Sequence, residues 1–165
     1  MASSQAVPAP ERQAYLRVRD TGVALWGPGD TYTILATGQE TNGAYFQLLA
    51  VVMPGGGPPP HIHHREDETF YLIEGSLEMR FGDATVQARA GDYINVPRGT
   101  VHTFRNIGET PARMVVTFVP AGFEGFFDEV FEPAADRTSP PPPTTPELIG
   151  RMIEAAPKYG LEMLP

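Results

Sequence analysis

The chain has 165 residues, enough for one domain with its own core, and 41% of them are hydrophobic. Its formal net charge of −8 comes without any cluster of lysine or arginine, which argues against nucleic-acid binding. The chain contains no cysteine, so disulfides, thiolate metal ligands and a cysteine nucleophile are excluded.

The sequence contains no segment typical of secretion or of a membrane span. Residues 1–18 include no basic region followed by an apolar core. No apolar run approaches the roughly twenty residues that cross a bilayer. We therefore expect a cytoplasmic protein with no membrane partner.

The first part of the chain predicts short strands separated by turns. Residues 1–13 are small, polar and proline-containing, which indicates an N-terminal arm. The apolar runs that follow are bounded by glycine, proline, aspartate and asparagine, as expected for strands joined by tight turns. These runs cover residues 15–18, 23–26, 32–36 and 44–53.

The stretch from residue 55 to 75 concentrates the residues that could bind a metal. Because side chains on a strand alternate between its two faces, His61 and His63 point the same way and can share one ion. His64 has the opposite parity, so we interpret it as a solvent-facing histidine outside the site.

Three acidic residues follow, and an ion held by imidazoles would accept any of them: Glu66, Asp67 or Glu68. Glu68 begins a run of β-branched and aromatic residues that predicts a new strand. From the start of that strand an inward-facing Glu68 could reach back to the histidines. Glu66 and Asp67 would then be turn residues facing water.

The pattern of short strands continues beyond this stretch. Residues 77–81 and 84–88 predict a hairpin, and further strands are predicted over residues 93–96, 102–107 and 113–119. Strands of this length with turns every eight to twelve residues are typical of an all-β sandwich or barrel. We expect the barrel to occupy residues 14–120.

Residues 121–165 have a different pattern of apolar residues, which predicts two helices. Phenylalanine and valine at positions 123, 126, 127, 130 and 131 form the stripe of an amphipathic helix. We expect this helix to cap the core, with a cover over the barrel mouth as the alternative. Residues 132–145 resemble an extended proline-rich linker, and Thr145 can cap a C-terminal helix. That helix must pack on its own barrel or on a second subunit.

Two segments of the chain resemble the paired motifs of the cupin superfamily. The first motif, G(X)5HXH(X)3–4E(X)6G, and the second, G(X)5PXG(X)2H(X)3N, are matched without departure over about fifty residues. The positions that fill them are Gly55, His61, His63, Glu68 and Gly75, then Gly91, Pro97, Gly99, His102 and Asn106. The resemblance implies a double-stranded β-helix, or jelly-roll barrel, in which His61, His63, Glu68 and His102 bind one divalent metal.

Alternation along the strands places further side chains beside this site. Phe70, Leu72 and Phe104 share the face of the ligands, and together with Phe46 they are expected to form an apolar substrate pocket. The nitrogen-rich ligand set suits one Fe, Mn, Co, Ni, Cu or Zn ion per chain rather than Ca or Mg.

The resemblance also implies a function, that of a quercetinase-like dioxygenase acting on a small apolar or aromatic substrate with dioxygen, with Glu68 as general base. Two alternatives stay open. One is an oxygen-independent isomerase, lyase or cyclase that uses the metal as a Lewis acid, and the other is a cupin that binds small molecules without catalysis. Single-domain members are commonly dimers, so we expect a homodimer.

Overall fold

The structure is a computed structural model that describes residues 13–164. The predicted N-terminal arm therefore lies almost entirely outside the described residues. Within the described part, strands dominate and helices are short. In chain order the strands are β1 Ala24–Trp26, β2 Asp30–Ala36, β3 Phe46–Val52, β4 His61–His63, β5 Asp67–Glu74, β6 Ser76–Phe81, β7 Ala84–Arg89, β8 Tyr93–Val96, β9 His102–Asn106, β10 Ala112–Val119, β11 Glu132–Pro133 and β12 Leu161–Met163.

These strands form two antiparallel sheets that face each other. The larger sheet has the spatial order β11-β1-β2-β3-β10-β5-β8, and the smaller has the order β12-β4-β9-β6-β7. Sequence neighbours such as β4 and β5 lie in different sheets, as the jelly-roll topology requires. The all-β jelly-roll expectation is confirmed.

Alternation along each strand builds the core between the sheets. In β3 the side chains of Phe46, Leu48, Ala50 and Val52 are buried, while the residues between them are partly exposed. The same alternation in β5 and β10 points one row of side chains inward from each strand. The inward rows of the two sheets therefore share one apolar interior.

A glycine-rich loop delivers the chain to β4. Gly57 has a φ of 146°, and a β-carbon there would overlap the carbonyl oxygen of Phe104. Only glycine tolerates both the backbone conformation and this close approach. Gly75, at φ 88°, likewise leaves room for Ala112 at the corner where the chain passes from β5 to β6.

The helices are α1 Gly38–Thr41, α2 Glu124–Val130 and α3 Pro146–Ala155, and a 3-10 turn spans Ala156–Tyr159. α1 was not predicted, since four residues between two strands carry no helical period. Thr145 caps α3 as expected, because its hydroxyl accepts a hydrogen bond from the Leu148 amide at 3.3 Å.

The C-terminal segment packs on its own barrel. Arg151 donates a hydrogen bond to the carbonyl of Val130 at 3.3 Å, and Tyr159 donates one to Glu129 at 2.7 Å, so α3 and the 3-10 turn are tied to α2. The chain then adds β12 to the edge of β4, a strand that the sequence did not predict.

One predicted strand is absent. Residues 15–18 are exposed and irregular, so the prediction of a strand there was wrong. Alternation alone cannot form a strand where no neighbouring strand supplies backbone partners. Among residues 13–164, no helix has the length and apolar character needed to cross a bilayer.

Candidate metal centre

Three strands from the two sheets bring four side chains together. β4 carries His61 and His63 on its inward face, and His61 lies directly opposite His102 of the antiparallel neighbour β9. Glu68 reaches the same point from β5, across the space between the sheets. The β4–β5 connection is short, so the two histidines and the glutamate cannot move far apart.

The four side chains form a compact, buried cluster. One ligand atom from each of His61, His63, Glu68 and His102 lies within 4.8 Å of the others, and all four residues are at most 6% exposed. The centroids of the His61 and His102 rings are 4.2 Å apart, and those of His61 and His63 are 5.1 Å apart.

Backbone carbonyls orient two of the imidazoles. The Nδ1 atom of His61 lies 2.9 Å from the carbonyl oxygen of Pro59, and that of His102 lies 3.0 Å from the carbonyl oxygen of Thr100. A carbonyl can only accept, so each Nδ1 carries the proton and each Nε2 faces the cluster.

The contact between His102 and Glu68 tests whether the site fits a cation. The Nε2 of His102 is 2.8 Å from Oε2 of Glu68, so both ring nitrogens of His102 face oxygen acceptors. Such an arrangement is favourable only if the ring is an imidazolium or if a cation lies between nitrogen and oxygen. The buried donor set of three imidazoles and one carboxylate therefore suits a divalent transition metal.

Burial and mutual charge set the pKa values of the metal-free cluster. Burial, followed by the charge of His102, lowers the pKa of His61 to about 4. Burial raises the pKa of Glu68, but the three histidines outweigh it, and the net pKa lies below the ordinary value. Burial lowers the pKa of His102, but the hydrogen bond and charge of Glu68 more than offset this effect. The net pKa of His102 therefore lies above the ordinary value. Glu68 is thus an ionised carboxylate among imidazoles.

Glu66 is buried, so the expectation that it faces water was wrong. The side chain is 3% exposed, and its Oε2 lies 3.7 Å from Nδ1 of His63. Neither atom has a hydrogen-bond partner within residues 13–164. The chain turns immediately after β4, which folds Glu66 back beneath the ring of His63 three residues earlier. A carboxylate behind a histidine ligand is the usual arrangement for orienting the ring towards a metal.

The two other polar residues of this turn lie outside the cluster. Asp67 is partly exposed and accepts hydrogen bonds from both the backbone and the side chain of Arg98, with its Oδ1 2.9 Å from the Arg98 Nε. His64 is exposed and lies 2.8 Å from Glu162, as its strand parity indicated. Asp67 begins β5 rather than ending the turn.

The cluster opens into a narrow apolar cavity of about 80 Å³. Phe70 and Phe104 are among the residues that line it. Phe46 and Leu72 are not among its lining residues, so their assignment to the substrate pocket needs correction. Leu72 faces inward but lies two residues beyond Phe70, further from the cluster, and Phe46 lies behind Phe118, with which it stacks at 5.6 Å.

Aromatic residues that were not assigned to the pocket form much of its wall. Phe123, at the start of α2, meets the ring of His63 edge-on at a centroid distance of 4.5 Å. Phe126 and Phe127 of α2 line the same cavity. The amphipathic stripe in the sequence indicated this helix, which we expected to cap the core, with a cover over the barrel mouth as the alternative. Its phenylalanines are buried in the core and also line the cavity.

The C-terminal strand closes the cavity from another side. In β12, Leu161 lies opposite His63 and Met163 lies opposite His61, and both line the cavity. No pattern in the sequence indicates this pairing, because the segment has only three residues. The strand supports β4 along the edge that does not face β9.

Residues 48–118 match the Cupin_2 family, described as a cupin domain. The chain is 31% identical over 102 residues to quercetin 2,3-dioxygenase of Bacillus subtilis and 35% identical over 120 residues to quercetin 2,3-dioxygenase of Aspergillus japonicus. These matches cover 62% and 70% of the chain, but only 30% and 31% of the two relatives. The chain thus spans about a third of the length of these relatives.

Two bacterial proteins are matched over more of their own length. The chain is 31% identical to protein SchB of Streptomyces halstedii over 114 residues, which cover 68% of the chain and 81% of SchB. The structure of the polyketide cyclase RemF from Streptomyces resistomycificus superposes with a TM-score of 0.55 and 26% identity, covering 64% of this chain and 80% of RemF. From its two motifs, its jelly-roll barrel and these matches, the chain belongs to the cupin superfamily.

Proposed function

We propose that this protein is a metal-dependent dioxygenase that opens a ring of a flavonol or a similar enolisable aromatic substrate. The observation that carries the proposal is the buried cluster of three histidines and Glu68, which opens into a cavity walled by aromatic side chains. The likeness to two quercetin 2,3-dioxygenases supports the choice of substrate and reaction.

One divalent transition metal per chain would be held by His61, His63, Glu68 and His102. When bound, such an ion would acidify a hydroxyl of the substrate and supply the redox chemistry with dioxygen. The choice among Fe, Mn, Co, Ni, Cu and Zn depends on supply as well as on ligands, because any such site binds these ions in the same general order, rising from Mn through Fe, Co and Ni to Cu and falling again at Zn.

In this proposal Glu68 takes the proton of the substrate hydroxyl. Its carboxylate is ionised, buried and within 3.5 Å of the Nε2 atom of His63 as well as 2.8 Å from that of His102. Because its pKa is below the ordinary value, Glu68 is a weak base, and it accepts a proton only from a hydroxyl that has already been made acidic.

The apolar wall of the cavity would exclude water from the reacting atoms. Phenylalanines from β5, β9, β10 and α2 surround the cluster. The cavity of about 80 Å³ is smaller than the roughly 300 Å³ of ordinary ligand sites. A two- or three-ring substrate therefore enters only if side chains of α2 or β12 move aside.

A second candidate function is oxygen-independent chemistry in which the metal acts as a Lewis acid, as in an isomerase, lyase or cyclase. The likeness to the polyketide cyclase RemF favours it, since RemF is matched over most of its length. Non-enzymatic binding of a small molecule is the third possibility. A homodimer and a cytoplasmic location stay predictions.

Oxygen uptake by the full chain separates these functions. The metal-free protein would be reconstituted separately with Fe, Mn, Co, Ni, Cu and Zn and assayed with quercetin. We expect uptake that requires both metal and quercetin, that is lost in Glu68→Ala, and that is retained in the control Glu109→Ala, which changes an exposed carboxylate. Absence of uptake with every metal, in protein holding one ion per chain, would contradict the dioxygenase proposal.

A further inference from the structure

Among the described residues that line the cavity, one outside the metal cluster carries a polar side-chain atom. Of the side chains that line it within residues 13–164, those able to donate a conventional hydrogen bond are His61, His63, Glu68 when protonated, and Tyr32. All other lining residues are proline, alanine, valine, leucine, methionine or phenylalanine. A phenolic hydroxyl in such a wall is costly unless it has a partner.

Tyr32 is separated from the cluster by a row of aromatic rings. The ring of His63 meets Phe123 at 4.5 Å, Phe123 meets Phe127 at 5.6 Å, and Phe127 meets Tyr32 at 5.1 Å, each pair nearly perpendicular. Two phenylalanine rings thus intervene along this wall. An aromatic ligand with one end at the cluster would extend along these rings towards Tyr32.

Asp30 lies behind Tyr32 and fixes its hydroxyl. The hydroxyl donates to Oδ2 of Asp30 at 3.2 Å, and Asp30 itself is 1% exposed and does not line the cavity. Gly27 makes room for this arrangement, because a β-carbon there would overlap the Tyr32 ring. Burial, followed by the charge of Asp30, raises the pKa of Tyr32, so the hydroxyl keeps its proton.

The hydrogen bond to Asp30 leaves the oxygen of Tyr32 with unused capacity. A phenolic hydroxyl can donate one hydrogen bond and accept others, and within residues 13–164 the bond to Asp30 is the only one found. Since the O–H group of Tyr32 donates its hydrogen bond to Asp30, the lone pairs of the oxygen are left for a donor that enters the cavity.

We propose that Tyr32, held by Asp30, is a second polar anchor that selects substrates carrying a hydroxyl at the end remote from the metal cluster. The inference rests on the proposed function, because it takes the substrate to be an aromatic molecule bound at the cluster through its enolisable end. The remote hydroxyl donates to the Tyr32 oxygen. A hydrocarbon end supplies no donor to the lone pairs of that oxygen.

The test is a binding measurement that needs no turnover. The full chain, loaded with redox-inert Zn, is titrated calorimetrically under anaerobic conditions with flavonol, galangin and kaempferol. Flavonol has only the enolisable hydroxyl, galangin adds hydroxyls on the fused ring, and kaempferol adds one more on the phenyl ring. One of these additions should strengthen binding by about twofold to tenfold, the range of one net hydrogen bond.

Tyr32→Phe keeps the ring and removes the oxygen, so it should abolish this advantage while flavonol binds as before. Tyr45→Phe, which changes an exposed tyrosine, is the matched control and should retain the advantage. Asp30→Asn should also retain it, because the amide oxygen still accepts from Tyr32.

An advantage that is equally large in Tyr32→Phe, or an absence of any advantage in the unaltered protein, would overturn the anchor and leave the proposed function standing. If none of the three compounds binds the Zn-loaded protein, the proposed substrate class is wrong and the anchor is overturned with it.

Discussion

The replacement Asp30→Asn should change how the stability of the protein depends on pH. Asp30 is 1% exposed, its Oδ2 accepts from Tyr32, and its Oδ1 has no hydrogen-bond partner within residues 13–164. Burial raises the pKa of this carboxyl from the ordinary 3.8 to about 7. The folded protein therefore holds the proton over a pH range in which the unfolded chain has released it.

The direction of the pH dependence follows from the difference between the folded-state and unfolded-state pKa values of Asp30. Because the folded-state pKa is the higher one, Asp30 stabilises the fold most below about pH 4, and this contribution is lost as the pH rises through about 7. The gap between 3.8 and about 7 corresponds to on the order of 4 kcal/mol. Asparagine has the same shape as aspartate but does not titrate. The Asp30→Asn variant should therefore lose this pH dependence of stability and be more stable than the unaltered protein near pH 8.

Urea unfolding of metal-free protein at a series of pH values measures this effect. The quantity to compare is the difference in free energy of unfolding between Asp30→Asn and the unaltered chain, in which the contributions of the histidines cancel. Asp83→Asn, which changes an exposed aspartate in a hairpin turn, is the control and should run parallel to the unaltered chain. Parallel curves for Asp30→Asn as well, from pH 4 to 8, would refute the reasoning.

Four further substitutions at three positions test other parts of the structure. His102→Ala should sharply lower the metal content after dialysis while the far-ultraviolet circular dichroism is unchanged; a full equivalent of metal would contradict the four-ligand site. Glu66→Gln, which weakens the acceptor behind His63, should lower metal affinity by up to about tenfold and Glu66→Ala by about 10- to 100-fold in a chelator competition, and equal affinities would show that Glu66 does not support His63. Leu72→Ala should cost about 2–5 kcal/mol in urea unfolding, because its side chain is fully buried, and a loss below 1 kcal/mol would indicate that this part of the core is loosely packed.

The parts of the site that were predictable from the sequence are those governed by local alternation and motif spacing. The parity of His61 and His63 placed them on one face, and the opposite parity of His64 placed it outside. The position of His102 followed from resemblance, since nothing local relates it to His61. In the structure these residues meet because β4 and β9 pair in a register that the family motif encodes only through its spacing.

The parts that were missed depend on tertiary packing. The burial of Glu66 is decided by how tightly the chain turns after β4, and residue type alone favours exposure for a glutamate. Tyr32 and Phe127 come from segments 95 residues apart in number and meet only because α2 folds over the barrel. The pairing of β12 with β4 similarly requires the whole C-terminal segment to be in place.

The most direct test of the central claim is the coordination of the metal in the full chain. After reconstitution with Zn or Fe, the protein should hold one ion per chain, and X-ray absorption should show several imidazole ligands and a carboxylate oxygen at about 2.0–2.2 Å. That result, with imidazole scattering reduced in His102→Ala, would establish His61, His63, Glu68 and His102 as one metal centre. Binding of much less than one ion per chain, or a spectrum of oxygen ligands without imidazole, would contradict it.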